Sequence, residues 1–183
     1  MTPLVSFINQ SLSLLTLVGQ IAIVVYVVLF LFYKNKKEIP FLKFFRDNAL
    51  LFSFIVALTA TFGSLFFSEV AKFEPCKLCW YQRIFMYPQV ILLGLALYKK
   101  TENIIDYSLS LSIIGGFIAL YHYLLQIGVI PATQVKCAAV GYSVSCAERF
   151  AMSFGYIIIP MMSLTAFSII ALLMFLKKIQ KNL

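Results

Sequence analysis

The sequence predicts an all-α integral membrane protein: a four-helix transmembrane bundle plus one extra N-terminal transmembrane helix. That makes five spans, with the N-terminus outside. Three observations predict it. Of the 183 residues, 62% are hydrophobic and 12% charged, whereas a soluble domain is nearer half apolar and a quarter charged. The apolar excess falls into five runs of about twenty residues, each long enough to cross a bilayer. The fifteen Lys and Arg sit almost entirely between those runs. In a soluble chain a net charge of +8 could point to nucleic acid. Here the tendency of basic residues to stay cytoplasmic explains it, and no nucleic-acid partner is expected.

The first run, Ser11 to Tyr33, carries no charge. It lacks a basic leader and exceeds a typical signal-peptide core, so it reads as a retained helix. The second covers Asn48 to Ser68, the third Trp80 to Tyr98, the fourth Ile104 to Ile127 and the fifth Ala151 to Leu176. Lys34, Lys36, Lys37, Lys43, Arg46, Lys99, Lys100, Lys177, Lys178 and Lys181 fall on one side of this arrangement. The other side has Lys72, Lys77, Arg83, Lys136 and Arg149, diluted by Glu69, Glu74 and Glu148. That ten-to-five split makes the Lys34–Arg46 connection cytoplasmic. Spans three and four then form a tight antiparallel hairpin. Pro88 and Pro160 suggest kinks, and Gly63-Ser64 and Gly115-Gly116 offer close helix contact, which is packing rather than chemistry.

All four cysteines lie in the two external connections: Cys76 and Cys79 in Glu69–Cys79, Cys137 and Cys146 in Gly128–Phe150. An even count on the oxidising side suits disulfides, as structural staples or as redox groups. Four cysteines allow three pairings, and spacing does not choose among them. The segment Glu74-Pro75-Cys76-Lys77-Leu78-Cys79-Trp80-Tyr81-Gln82-Arg83 tilts the balance. A Cys-x-x-Cys ring is too small to constrain much chain. At a helix N-terminus, with Lys77 nearby, the same pair is suited to exchange, because the positive helix end favours thiolate.

Arg83 follows Cys79 by one helical turn on the same face. It is either an interfacial anchor that snorkels or a cation serving the Cys79 thiolate and an electron acceptor beside it. His122, near the outer end of span four, shares a face with Gln126. Alone it reads as a bonded core histidine; beside Cys79 it could be a cofactor contact. One histidine cannot supply two haem ligands, and no metal site is expected, since Cys137 and Cys146 lack zinc-ribbon spacing. No dinucleotide fingerprint or P-loop is present, so a lipid-soluble quinone is the acceptor that a membrane offers.

The Pro75–Arg83 segment, Met86-Tyr87-Pro88, Tyr121-His122-Tyr123 and the second cysteine pair resemble the disulfide bond formation protein B family, most of all its shorter Gram-positive branch. The resemblance covers roughly residues 48 to 176 and divides the chain into residues 1–46, the extra helix and its cytoplasmic connection, and residues 47–183, the oxidoreductase domain. It implies a bacterial cytoplasmic-membrane enzyme that reoxidises an extracytoplasmic thioredoxin-fold dithiol oxidase and reduces a quinone, ubiquinone or menaquinone. By motif, Cys76 and Cys79 would be the disulfide facing the quinone, with Cys79 the thiolate beside its ring and Arg83 and His122 its contacts. Cys137 would accept attack from the partner, and Cys146 would pass electrons to Cys76. Vitamin K epoxide reductase relatives share the four-helix, four-cysteine plan but place the loop pair before the Cys-x-x-Cys. A non-catalytic subunit stapled by two disulfides is the rival from another class.

Overall fold

The computed structural model describes residues 2–33, 40–131, 146, 147, 149 and 151–181; Cys137 lies outside them. Its elements are α1 (Pro3–Tyr33), α2 (Pro40–Asp47), α3 (Ala49–Leu65), α4 (Lys77–Lys99), α5 (Ile105–Gln126), β1 (Met152–Ser153), β2 (Ile157–Ile158) and α6 (Ile159–Lys181). A π-helical turn, Phe66–Val70, extends α3. Neighbours pack α3 on α4, α4 on α5, α5 on α6 and α6 back on α3, a closed ring of four. α1 lies outside the ring, against α6 and the hairpin.

The polarity of this bundle is that of a membrane protein. Ile84, Ile91, Leu95, Phe117 and Phe175 face outward, while Gln82, Gln89, Ser108, Ser112 and His122 are buried. Without water, helices associate through close packing and interhelical hydrogen bonds. Both are present here: between α4 and α5, Gln89 Oε1 accepts from Ser108 Oγ at 2.9 Å and from Ser112 Oγ at 3.0 Å. Between α5 and α6, Gly115 is the point of closest approach, since a Cβ there would lie 2.4 Å from the Phe167 ring. Gly115-Gly116 is the packing device that the sequence suggested.

Four helices among the described residues are long and apolar enough to span: Pro3–Leu29, Ala49–Val70, Ile105–Gln126 and Ile159–Ile179. α4 has the length, 23 residues, but not the composition. Its polar residues Gln82 and Gln89 point into the bundle while its outer face is apolar. Hydropathy averages those two faces and loses the distinction.

Two expectations change at the fifth run. Met152↔Ile158 and Ser153↔Ile157 pair as an antiparallel hairpin, so the helix begins at Ile159 rather than Ala151. Phe154 and Gly155 turn it with φ of 52° and 78°, which no α-helix accommodates. Pro160 therefore stands in the first turn of α6, where its missing N–H costs nothing, and starts the helix rather than kinking it. At the opposite end, Lys177 pairs with Glu102 at 3.0 Å and Lys178 with Asp106 at 2.7 Å. These bonds bring the basic tail to the start of α5, the end that also carries Lys99 and Lys100.

Candidate active site

Pro75 stops the preceding segment in an extended conformation, and Cys76 (φ −69°, ψ 169°) becomes the N-cap of α4. Its sulphur accepts a hydrogen bond from the Cys79 amide at 3.4 Å, so it occupies the position that a Ser or Asp cap would fill. Cys79 follows in the first turn and brings its own Sγ to 3.2 Å from Cys76 Sγ, both as free thiols. Cys76 is buried. The thiol hydrogen bond from Cys79 holds the Cys76 pKa below that of an ordinary cysteine, against the opposing effect of burial. The His122 ring and the Cys79 amide add to the lowering. In the dithiol form the capped sulphur is thus Cys76, one residue outside the helix.

His122 stands behind Cys76 rather than beside an acceptor pocket. Its Nε2 lies 3.1 Å from the Cys146 carbonyl and 3.6 Å from Cys76 Sγ. Its Nδ1 lies 2.9 Å from the Gln82 amide nitrogen. In the tautomer with the proton on Nε2, that N–H donates to Cys146 O and leans on the sulphur while Nδ1 accepts from Gln82; the Gln126 amide nitrogen, 3.2 Å from Nε2, then turns its own N–H to the carbonyl rather than to the ring. The Gln126 amide, 3.3 Å from the same carbonyl, supplies its second donor. Arg149 Nε donates to Gln126 O at 2.6 Å and ties the incoming segment to the end of α5. Cys146 is buried, disulfide-bonded, and packed in one apolar cluster with Cys76, Leu78 and Leu125. The two cysteine-bearing connections meet at these residues.

The sulphurs of Cys76 and Cys79 and the ring of His122 present donor atoms within 4.8 Å of one another. A metal held by this trio would have to displace the proton that Nε2 gives to Cys146 O.

On the other side of Cys79 is a cavity of about 230 Å³. Its polar edge is formed by Cys79, Gln82, Arg83, Ser64 and Tyr87, and Ile55, Val56, Met86, Met162 and Ile169 supply apolar walls. Arg83 is tied to α3. Its Nε donates to Ser64 Oγ at 3.0 Å and an Nη to Ser64 O at 3.1 Å. Tyr87 OH lies 3.2 Å from the same hydroxyl, and the guanidinium lies 5.1 Å from the Trp80 ring centroid. Of the residues singled out in the sequence, Cys79 and Arg83 line the cavity, Cys76, His122 and Cys146 lie behind it, and Cys137 is outside the described residues. Ser64, Gln82 and Tyr87 were not singled out. Ser64 looked like a packing residue, yet it supplies both acceptors that fix Arg83; a buried Gln in a span was the only signal for Gln82.

Comparison with known proteins agrees with this arrangement. The family model "Disulfide bond formation protein DsbB" matches residues 46–177. A "Probable disulfide formation protein C" from Bacillus cereus (strain ATCC 14579) is 46% identical over 131 residues, 72% of this chain and 92% of that protein. The "Disulfide bond formation protein C" of Bacillus subtilis (strain 168) is 44% identical over 131 residues, 71% and 92% of the two chains. A "Probable disulfide formation protein" from Metapseudomonas resinovorans is 40% identical over 127 residues, 69% and 87%. These matches leave the relatives too little further chain for a counterpart of the 31-residue α1. No solved structure gives a significant match. The chain is a thiol oxidoreductase of membrane disulfide formation and belongs to the DsbB family.

Proposed function

We propose that the protein reoxidises an extracytoplasmic thioredoxin-fold dithiol protein and delivers the electrons to a membrane quinone. The observation that carries this reading is the position of Cys79: it forms part of the cavity wall beside Arg83, while its partner Cys76 packs against Cys146. A flat apolar ring with a polar edge suits that cavity, whose guanidinium and Tyr87 hydroxyl are held by Ser64. A bound quinone supplies a two-electron, two-proton acceptor.

The thiol steps balance as follows. A partner thiolate attacks Cys137, forms a mixed disulfide and releases Cys146. The partner's second thiol closes its own disulfide and releases Cys137. Cys146 then attacks Cys76 of an oxidised Cys76–Cys79 pair, breaking that bond and leaving charge on Cys79. Cys137 recaptures Cys146 and leaves Cys76 and Cys79 reduced, and the acceptor takes their two electrons as the pair reoxidises. The capped position of Cys76 and its shared cluster with Cys146 support this order. Exchange runs in this direction if the quinone is the stronger oxidant and the partner the weaker.

The five-span topology, with both cysteine segments outside a bacterial cytoplasmic membrane, belongs to the same reading. The apolar outer face of α4 supports it as the fifth span. The test is quinone reduction by detergent-purified protein with a reduced thioredoxin-fold oxidase as donor. Turnover that disappears in Cys79→Ser is the expected result. Cysteines that stay inert to both donor and quinone would instead establish the structural-staple reading.

A further inference from the structure

α1 lies outside the residues covered by the family match, and yet it completes the acceptor cavity. Leu12, Leu15 and Thr16 line it, one turn of α1 facing the slot between α3 and α6. Polar bonds hold this turn on both sides. Asn9 Nδ2 donates to Ser153 Oγ at 3.1 Å, and Gln20 Nε2 donates to Thr165 Oγ1 at 3.1 Å. Tyr156 of the hairpin donates to Gln20 Oε1 at 2.8 Å. Close approach is built in: a Cβ on Gly19 would lie 3.0 Å from Ile169, and one on Gly63 would lie 3.2 Å from Leu12. Interhelical hydrogen bonds in a membrane fix one docking geometry for a helix that lipid would otherwise accept in many.

The cavity is also too small for a whole prenylated quinone. Its 230 Å³ falls below the roughly 300–1,000 Å³ of ordinary small-molecule sites, so the ring fits and most of a tail must leave. The wall residues with the most exposed side chains indicate where. Leu15 of α1 is 60% exposed and Ile55 of α3 is 47% exposed, although both line the cavity. α1 packs chiefly on α6 and the hairpin, so its α3 side, closed at Leu12 against Gly63 but exposed at Leu15 and Ile55, is the seam.

We propose that α1 is a specificity wall of the acceptor site. The prenyl tail leaves between Leu15 and Ile55, and Leu12, Leu15 and Thr16 select for it. The inference rests on the quinone reading and assigns a role to the helix that the family domain does not include.

Trp80 is the sole tryptophan and stacks near Arg83 at the cavity's polar edge, so quenching of its fluorescence reports binding without turnover. Full-length protein would be titrated with a decyl-substituted benzoquinone and with the same ring lacking a tail. Thr16→Phe should raise the Kd for the decyl compound at least about tenfold, the size of a filled apolar subsite. Among the described residues Thr16 bonds to its own helix, through Leu12 O, so no described interhelical bond is lost. Leu15→Ala, at an exposed position that folding tolerates, should weaken the decyl compound and spare the tail-less ring. Val18→Phe, on the lipid face, should change neither. Quenching in the parent protein with unchanged decyl affinity in Thr16→Phe and Leu15→Ala would overturn the role of α1 alone. No quenching by either quinone in the parent protein would overturn the quinone reading and this inference together.

Discussion

His122→Phe keeps a ring of similar size at a buried position and removes its hydrogen bonds. Lost are the Nε2–H donor, 3.1 Å from Cys146 O and 3.6 Å from Cys76 Sγ, and the Nδ1 acceptor 2.9 Å from Gln82. A hydrogen bond to a charged group contributes about 1.5–3 kcal/mol. At 3.6 Å, and with the proton shared with Cys146 O, the low end applies, about one pKa unit. The sign is fixed by which form the donor favours. His122 stabilises the Cys76 thiolate, so its loss raises the Cys76 pKa towards the ordinary thiol range. Below the original midpoint the thiolate fraction, and with it the alkylation rate, falls about tenfold. The pKa of Cys76 is depressed in the fold. The reduced protein therefore holds the corresponding stability above the unfolded thiol pKa and loses it as pH falls through the folded value; His122→Phe narrows that window. The assay is the pH profile of iodoacetamide labelling at Cys76, read by mass spectrometry on the folded, reduced protein. Gln82→Leu, which leaves the Nε2 donor in place, should shift the profile less. An unchanged midpoint in His122→Phe would refute the assignment of His122 to Cys76.

Arg83→Ala should lower quinone reduction by about tenfold to a hundredfold, the loss of one charge-assisted contact, while partner exchange stays largely intact; equal loss of both would remove Arg83 from the acceptor side. Gly115→Ala should lower the unfolding transition in detergent by the equivalent of about 1–3 kcal/mol, because the new Cβ overlaps the buried Phe167 ring; an unshifted transition would mean that α5 and α6 are not packed there. An N-terminal tag should be reachable by protease from outside intact cells. Its protection would place α1 or α4 differently in the membrane.

The class of this protein is legible along the chain, and the reason is local. Membrane helices announce themselves by continuous runs of apolar residues, and Cys76-Lys77-Leu78-Cys79 carries its chemistry within one helical turn. Arg83 was legible because four residues along a helix is one turn, so its face was known before any packing. α4 was read as a span from its run, but the reason its Gln82 and Gln89 can lie inside the bundle, their partners on α5, appears only in the fold. The hairpin at Met152–Ile158 was hidden inside an apolar run, since Phe154-Gly155 departs from helix only in its dihedral angles.

What only the tertiary structure decided is which residues face each other across helices. Ser64 reads as a packing residue until Arg83 reaches it from α4. His122, which reads alone as a bonded core histidine and beside Cys79 as a cofactor contact, gains its partners only when the Cys146 carbonyl and Cys76 Sγ are placed on its Nε2. The first helix had no functional account at all from its sequence, because its few uncharged polar residues have no partner along the chain to give them a role. Asn9 and Gln20 give it one only through Ser153, Thr165 and Tyr156, residues well over a hundred positions away in the chain. Contacts of that range depend on how the chain closes, and no periodicity along it records them.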